Sequence, residues 1–212
     1  MFQIHFLKRV ASTQLYLKES LLNKRVNSPI AVVADIQTQG VGSRNNKWIS
    51  GEGNLYLSFA LPLKQLPTDL KIESASIYFS YLLKETLEEF GSSLFVKWPN
   101  DLYIGEGKIG GMLTTVIGED ILCGVGLNLN KNDPIFASLD IEIDKKILLE
   151  KYFKKIEKRV LWKQVFSKYK LNFQTNQKFF THINEKRVSL SEAVLEDDGS
   201  LNINGERIYS LR

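Results

Sequence analysis

A chain of 212 residues, 43% hydrophobic and 25% charged, has ordinary globular composition and enough length to bury a core without disulfide or metal staples. A single cysteine, Cys123, excludes an internal disulfide framework and any CxxC-built zinc or iron–sulfur site, and two histidines, His5 and His182, lie too far apart in sequence to suggest a histidine-built metal centre. The net charge of +4 is concentrated: residues 145–170 hold ten Lys or Arg against two Glu, which leaves the remainder at −4, so overall basicity does not by itself point to nucleic acid.

In chain order, residues 3–7 read as a short strand, and Ser12 and Thr13 as caps of a helix running to about Leu22. Pro29 precedes a β-branched run at 30–34 that reads as a buried strand, followed by a polar loop at 37–47 and an alternating strand at 54–61. Residues 72–90 carry helical periodicity with Gly91 as the stop. A strand at 94–97, a turn at 98–101, a strand at 102–104, a Gly-Glu-Gly hairpin and strands at 109–117 and 121–129 complete the first part. In the basic segment Leu149, Tyr152, Phe153, Ile156 and Val160 recur at helical spacing, which predicts one amphipathic helix with its lysines in water. From about Lys178 the texture is short and β-like, with Asp198-Gly199 and Asn204-Gly205 as hairpin signals. The whole predicts an α+β fold: a mixed or antiparallel sheet backed by helices at 1–174, plus a small C-terminal β-barrel-like subdomain at 175–212, too short to fold alone. The absence of a long apolar run and of signal-peptide blocks places the chain in the cytoplasm, away from membranes.

Four clusters are richer in glycine and polar groups than core packing requires. Ser12-Thr13-Gln14 enters a helix. The stretch from Gln37 through Gly40, Val41, Gly42, Arg44 and Lys47 to Trp48 lets backbone N–H groups approach a ligand and offers two cations to phosphate, although no Walker-type Gly-Lys-Ser/Thr closes it. Lys97-Trp98-Pro99-Asn100-Asp101 presents an amide and a carboxylate beside a lysine, and Lys108-Ile109-Gly110-Gly111 follows closely. In Gly124-Val125-Gly126-Leu127-Asn128 alternate glycines make a flat floor that Asn128 continues with donor and acceptor groups. Together they describe a pocket for a flat neutral group and a phosphate-bearing group. No Ser-His-Asp or Cys-His arrangement is present, so positioning and charge stabilisation suffice. Cys123, His5 and His182 are assigned to structure.

These motifs, in this order, resemble the biotin protein ligases; KWPND followed by KIGGM is the specific combination, and the likeness covers the whole chain. The resemblance implies a class II synthetase-like catalytic domain that makes biotinyl-5′-AMP from biotin and ATP with Mg²⁺, then acylates one lysine of a biotin carboxyl carrier protein, such as an acetyl-CoA carboxylase subunit. It implies no tightly bound cofactor and a monomer or homodimer. Because the catalytic part begins at Met1, it implies the monofunctional type without a DNA-binding domain. Carried over by position, it assigns Ser12, Thr13, Gln14, Gln37, Gly40, Lys108, Gly111 and Gly124 to biotin, and Arg44, Lys47, Trp48, Asn100 and Asn128 to ATP and the adenylate. Lys108, Lys97 and Asp101 are assigned to catalysis, with Asp101 also toward magnesium. The basic segment would face an acidic carrier. Val41, Ser43 and Asn46 stand where the family commonly has arginine, which implies either a more loosely held adenylate or replacement of the missing charges by Arg44 and Lys47. The readings weighed against this are a lipoate–protein ligase, whose Arg-Arg-x-x-Gly-Gly-Gly loop is absent, a binder of single-stranded nucleic acid, and a biotin-binding regulator without catalysis.

Overall fold

The computed structural model describes residues 2–42, 46–49, 51–130, 136–183 and 186–209. The expectation for Arg44 falls outside them. In chain order the elements are β1 (Gln3–Val10), α1 (Thr13–Leu22), β2 (Ile30–Gln37), β3 (Gly40–Val41), β4 (Lys47–Trp48), β5 (Leu55–Pro62), α2 (Ala75–Glu88), β6 (Phe95–Lys97), β7 (Asp101–Ile104), β8 (Gly107–Ile117), β9 (Asp120–Leu127), α3 (Lys145–Glu157), α4 (Trp162–Phe173), β10 (Phe180–Ile183), β11 (Lys186–Ser189), β12 (Val194–Leu195), β13 (Leu201–Ile203) and β14 (Glu206–Ile208).

Seven strands form one sheet in the order β1-β2-β5-β9-β8-β7-β6, with β1 and β2 parallel and every other neighbouring pair antiparallel. Strand alternation then sorts side chains to two faces. On β5 and β9, Leu55, Leu57, Phe59, Leu61, Ile121, Cys123, Val125 and Leu127 point to the face covered by α2, α3 and α4, and join one large buried cluster. Leu122 and Ala60 point the other way, where Leu17 of α1 packs on them with Ile30 and Val32. That second face is only half covered. Ser58, Gly124 and Gly126 share it, and the functional cleft opens there.

Two expectations are corrected. The stretch 37–47 is not simply a loop, because Gly40 and Val41 pair with Trp48 and Lys47 as a short hairpin. The basic segment is two helices rather than one. Arg159 turns to φ +49, and the α4 N-terminus is capped from a distance: the Asp69 carboxylate accepts from Trp162 N–H at 2.8 Å and Lys163 N–H at 3.0 Å.

The C-terminal residues form a two-stranded sheet, β10-β11, and a three-stranded sheet, β12-β13-β14. Leu190, Ala193, Leu195, Leu201 and Ile203 continue the large cluster, and two indoles tie the segment to the body: Trp98 Nε1 donates to Gly199 O and Trp162 Nε1 to Asp197 O, both at 2.8 Å.

Candidate active site

The cleft begins at the start of α1. Ser12 Oγ caps the helix by accepting from Leu15 N–H at 3.4 Å. Thr13 donates from its backbone N–H (2.8 Å) and its hydroxyl (3.0 Å) to Gln37 Oε1, and that hydroxyl also bonds Ser58 Oγ at 2.8 Å. All four residues are buried. A chain of satisfied polar groups is thereby fixed at the closed end of the cleft, where an unsatisfied one would cost about 1–3 kcal/mol.

The floor is made of glycines with side chains closely over them. A Cβ on Gly124 would sit 2.9 Å from Gln14 Oε1, and one on Gly126 would sit 2.5 Å from the Trp48 ring. Gln14 and the Trp48 indole therefore sit close over the β9 backbone: the Trp48 ring leaves no room for a side chain at Gly126, whereas one at Gly124 would displace the end of Gln14.

The reactive end is built by β7 and β8. Lys108 Nζ bonds Asp101 Oδ1 at 2.7 Å, and Lys97 Nζ approaches Asp101 Oδ2 at 4.0 Å. The register of β7 on β8 shifts between Leu102 and Tyr103, pairing Tyr103 with Lys108 and Leu102 with Gly110; this irregularity puts Lys108 on the cleft side. Lys108 Nζ also lies 5.9 Å over the Trp48 ring, and Lys97 Nζ 5.2 Å over the Tyr103 ring. Burial, with a smaller contribution from the Asp101 charge, pushes the Tyr103 hydroxyl up to about 12, so it stays protonated beside the two lysines. Asn100 is held by β8: its Nδ2 donates to Met112 O, and its own carbonyl accepts from Met112 N–H at 3.0 Å.

The cleft encloses about 510 Å³ free of protein atoms, its open mouth included, and reaches from Ser12, Thr13, Gln14 and Gln37 over Gly111 and Gly124 to Asn100, Asp101 and Lys108. Beyond Trp48 it continues into a second, open basin of about 800 Å³ bounded by Lys47, Ile49, Asn128 and Phe136, with Gly42, Trp48 and Lys108 shared between the two. Asn128 Nδ2 donates to Ala137 O at 3.1 Å, which fixes its amide at the rim.

Most residues singled out in the sequence thus converge. Gly40 does not line the cleft; it is buried in the β3–β4 hairpin, and Val41 and Gly42 present themselves instead. Lys97 stands behind Asp101 rather than on the cleft wall. Ser58 was missed. Its only signal was a hydroxyl inside the apolar run 55–61. The basic segment, expected to suit an acidic carrier, lies on α3 and α4 on the side of the sheet away from the cleft, with Lys154, Lys155 and Lys168 paired to Glu150, Glu89 and Glu85.

A glycine floor under a helix N-terminus leads to a lysine–carboxylate–lysine cluster and on to an indole-bounded basin, so one continuous cleft joins a polar closed end to a charged middle and an open outer part. The chain belongs to the biotin/lipoate A/B protein ligase family, whose model matches residues 6–132. It is 34% identical over 127 residues to the bifunctional ligase/repressor BirA of Escherichia coli, a match covering 57% of this chain and 38% of that protein. It is 35% identical over 117 residues to biotin–protein ligase 2 of Arabidopsis thaliana, covering 48% and 33%. The matches thus span about a third of these relatives' length. Among solved structures, the biotin acetyl coenzyme A carboxylase synthetase of Helicobacter pylori, with bound biotinylated ATP, superposes with a TM-score of 0.95 at 38% identity over 99% of this chain and 100% of that one. The biotin protein ligase of Aquifex aeolicus, in complex with biotin and ATP, gives 0.80 at 26% identity, covering 99% and 96%.

Proposed function

We propose that this chain is a biotin–protein ligase. In the first step a carboxylate oxygen of biotin attacks the α-phosphorus of ATP, pyrophosphate leaves, and biotinyl-5′-AMP remains. In the second, a carrier lysine amine attacks the acyl carbon, AMP leaves, and an amide forms. The observation that carries the reading is the convergence of Thr13, Gln37 and Gly124 with Lys108 and Asp101 in one cleft. The likeness to ligases that hold biotin with ATP supports it.

The first step joins two anions that repel. Lys108, at the junction of cleft and basin, offsets that repulsion and gains as charge builds on the phosphorus oxygens. The ureido ring belongs at the closed end, with Ser12, Thr13, Gln14 and Gln37 above Gly124 and Gly111; Gly40 acts through the hairpin backbone. The nucleotide belongs beyond Trp48, with Lys47 and Asn128 around the base and Asn100 and Asp101 toward the phosphates. Among the described residues no three His, Cys, Asp or Glu form a metal cage; magnesium would accompany ATP, would be held here by Asn100 and Asp101, and would offset charge on the phosphates. The donors suit that role: Asp101 Oδ2 is one oxygen, and Asn100 Oδ1, buried without a partner among the described residues, is another. In the second step Asp101 takes the proton from the carrier amine, and Lys97 holds that carboxylate in place.

The test is mass spectrometry of an apo carrier domain incubated with the chain, biotin and MgATP. A mass gain of one biotinyl group on one lysine is expected. No gain with biotin but a gain with lipoate would transfer the assignment to the other branch of the family.

A further inference from the structure

β6 is the last strand of the sheet, and among the described residues its outer edge faces no other strand. Two asparagine side chains take that place. Asn172, on α4, donates from Nδ2 to Val96 O at 2.9 Å and accepts from Val96 N–H at 3.3 Å. Asn176, in the short turn after α4, donates to the same carbonyl at 3.0 Å, but its Oδ1 reaches past the strand and accepts from Trp98 N–H at 2.6 Å. It is fully buried and lines neither cleft nor basin.

Trp98 separates Lys97 from the turn that carries Asn100 and Asp101. The inner side of that turn is fastened to β8 through the two bonds between Asn100 and Met112. Asn176 fastens the outer side. A buried amide is tolerated when its polar atoms are satisfied, and both of those on Asn176 are directed at this strand and turn.

We propose that Asn176 is a positioning residue: by holding the Trp98 amide it sets where Lys97 and Asp101 stand against Lys108. The inference rests on the proposed ligase function. Removing the Asn176 amide would leave Trp98 N–H without its acceptor, so that on the outer side only the Trp98 indole, through Gly199 O, would still hold the turn. A misplacement of about 1 Å in a catalytic group can cost on the order of 10²-fold in rate.

Asn172 supplies the control, since it bonds the same strand edge and not the turn. Full-length wild type, Asn176→Ala and Asn172→Ala are compared for kcat and biotin KM in carrier biotinylation, with thermal melts alongside. Both variants are expected to melt earlier, because both leave Val96 short of a partner. Only Asn176→Ala is expected to lose kcat, by about tenfold or more, with biotin KM within about twofold because the Thr13–Gln37 end is untouched. Should Asn176→Ala not fold, Asn176→Ser replaces it with the same expectation. Unchanged kcat at residue 176, or equal losses in both variants, overturns the inference. A wild-type chain that transfers no biotin removes the ligase reading itself, and this inference with it.

Discussion

Lys108 is the side chain on which the chemistry turns, and it contributes little to the fold. Its side chain is 40% exposed, so its pair with Asp101 adds about 0–1 kcal/mol to stability. Lys108→Ala is therefore expected to keep its melting temperature within a few degrees while biotin-dependent ATP–pyrophosphate exchange falls about 10²-fold or more, as when one preorganised charge-stabilising donor is removed. Exchange at the wild-type rate would strike Lys108 from its role. At this scale much of the site was legible in the sequence, because its chemistry needs residue types that core packing does not: glycines at alternate strand positions, a lysine before two glycines, an amide next to a carboxylate. Ser58 was not legible, since a hydroxyl in an apolar strand has the same appearance whether it faces a core or a cleft. What decides is its partner, Thr13, 45 residues away. Cys123 was correctly left to structure: it is fully buried, and burial pushes its thiol well above the usual range.

The strands of the main sheet were readable because alternation and turn residues are local signals. The break between α3 and α4 was not. Leu149, Tyr152, Phe153, Ile156 and Val160 keep one helical stripe across it, and the cap that starts α4 comes from Asp69, 93 residues earlier than Trp162. The residue at the α4 N-cap position, Leu161, makes no side-chain capping bond of its own, so Asp69 supplies what Ser12 supplies for α1. Asp69→Ala is expected to cost about 1–2 kcal/mol, a typical loss for a helix cap, and to lower the melting temperature by a few degrees for a chain of this size. Asp69 lies outside cleft and basin, so carrier biotinylation at 25 °C stays unchanged. A melting temperature equal to wild type would show that α4 holds its first turn without this carboxylate.

Across the whole molecule the sheet divides the work. One face is buried under three helices and carries stability; the other is left partly open and carries the cleft. The C-terminal sheets belong to the first side, and Asp198 is where they are fastened. Its carbonyl accepts from Ser74 Oγ at 2.5 Å, and its carboxylate accepts from Ser200 N–H at 3.1 Å, Ser200 Oγ at 2.6 Å and the Arg207 guanidinium at 2.9 Å. Burial works to raise this carboxyl, but the bonds from Ser200 and the Arg207 charge outweigh it and hold the pKa at about 2. The ordinary value in an unfolded chain is about 3.9, so the folded state binds this proton more weakly than the unfolded one does. Its contribution is then full above about pH 4 and disappears as the pH falls toward about 2. Asp198→Asn keeps the size and loses the charge. It is expected to be less stable than wild type by about 2 kcal/mol at pH 7, with the difference closing as both are acidified toward pH ~2. The measurement is urea unfolding of both proteins at intervals between those limits. Parallel curves, with a constant gap or none, would mean that the charge on Asp198 does not stabilise the C-terminal sheet through Ser200 and Arg207.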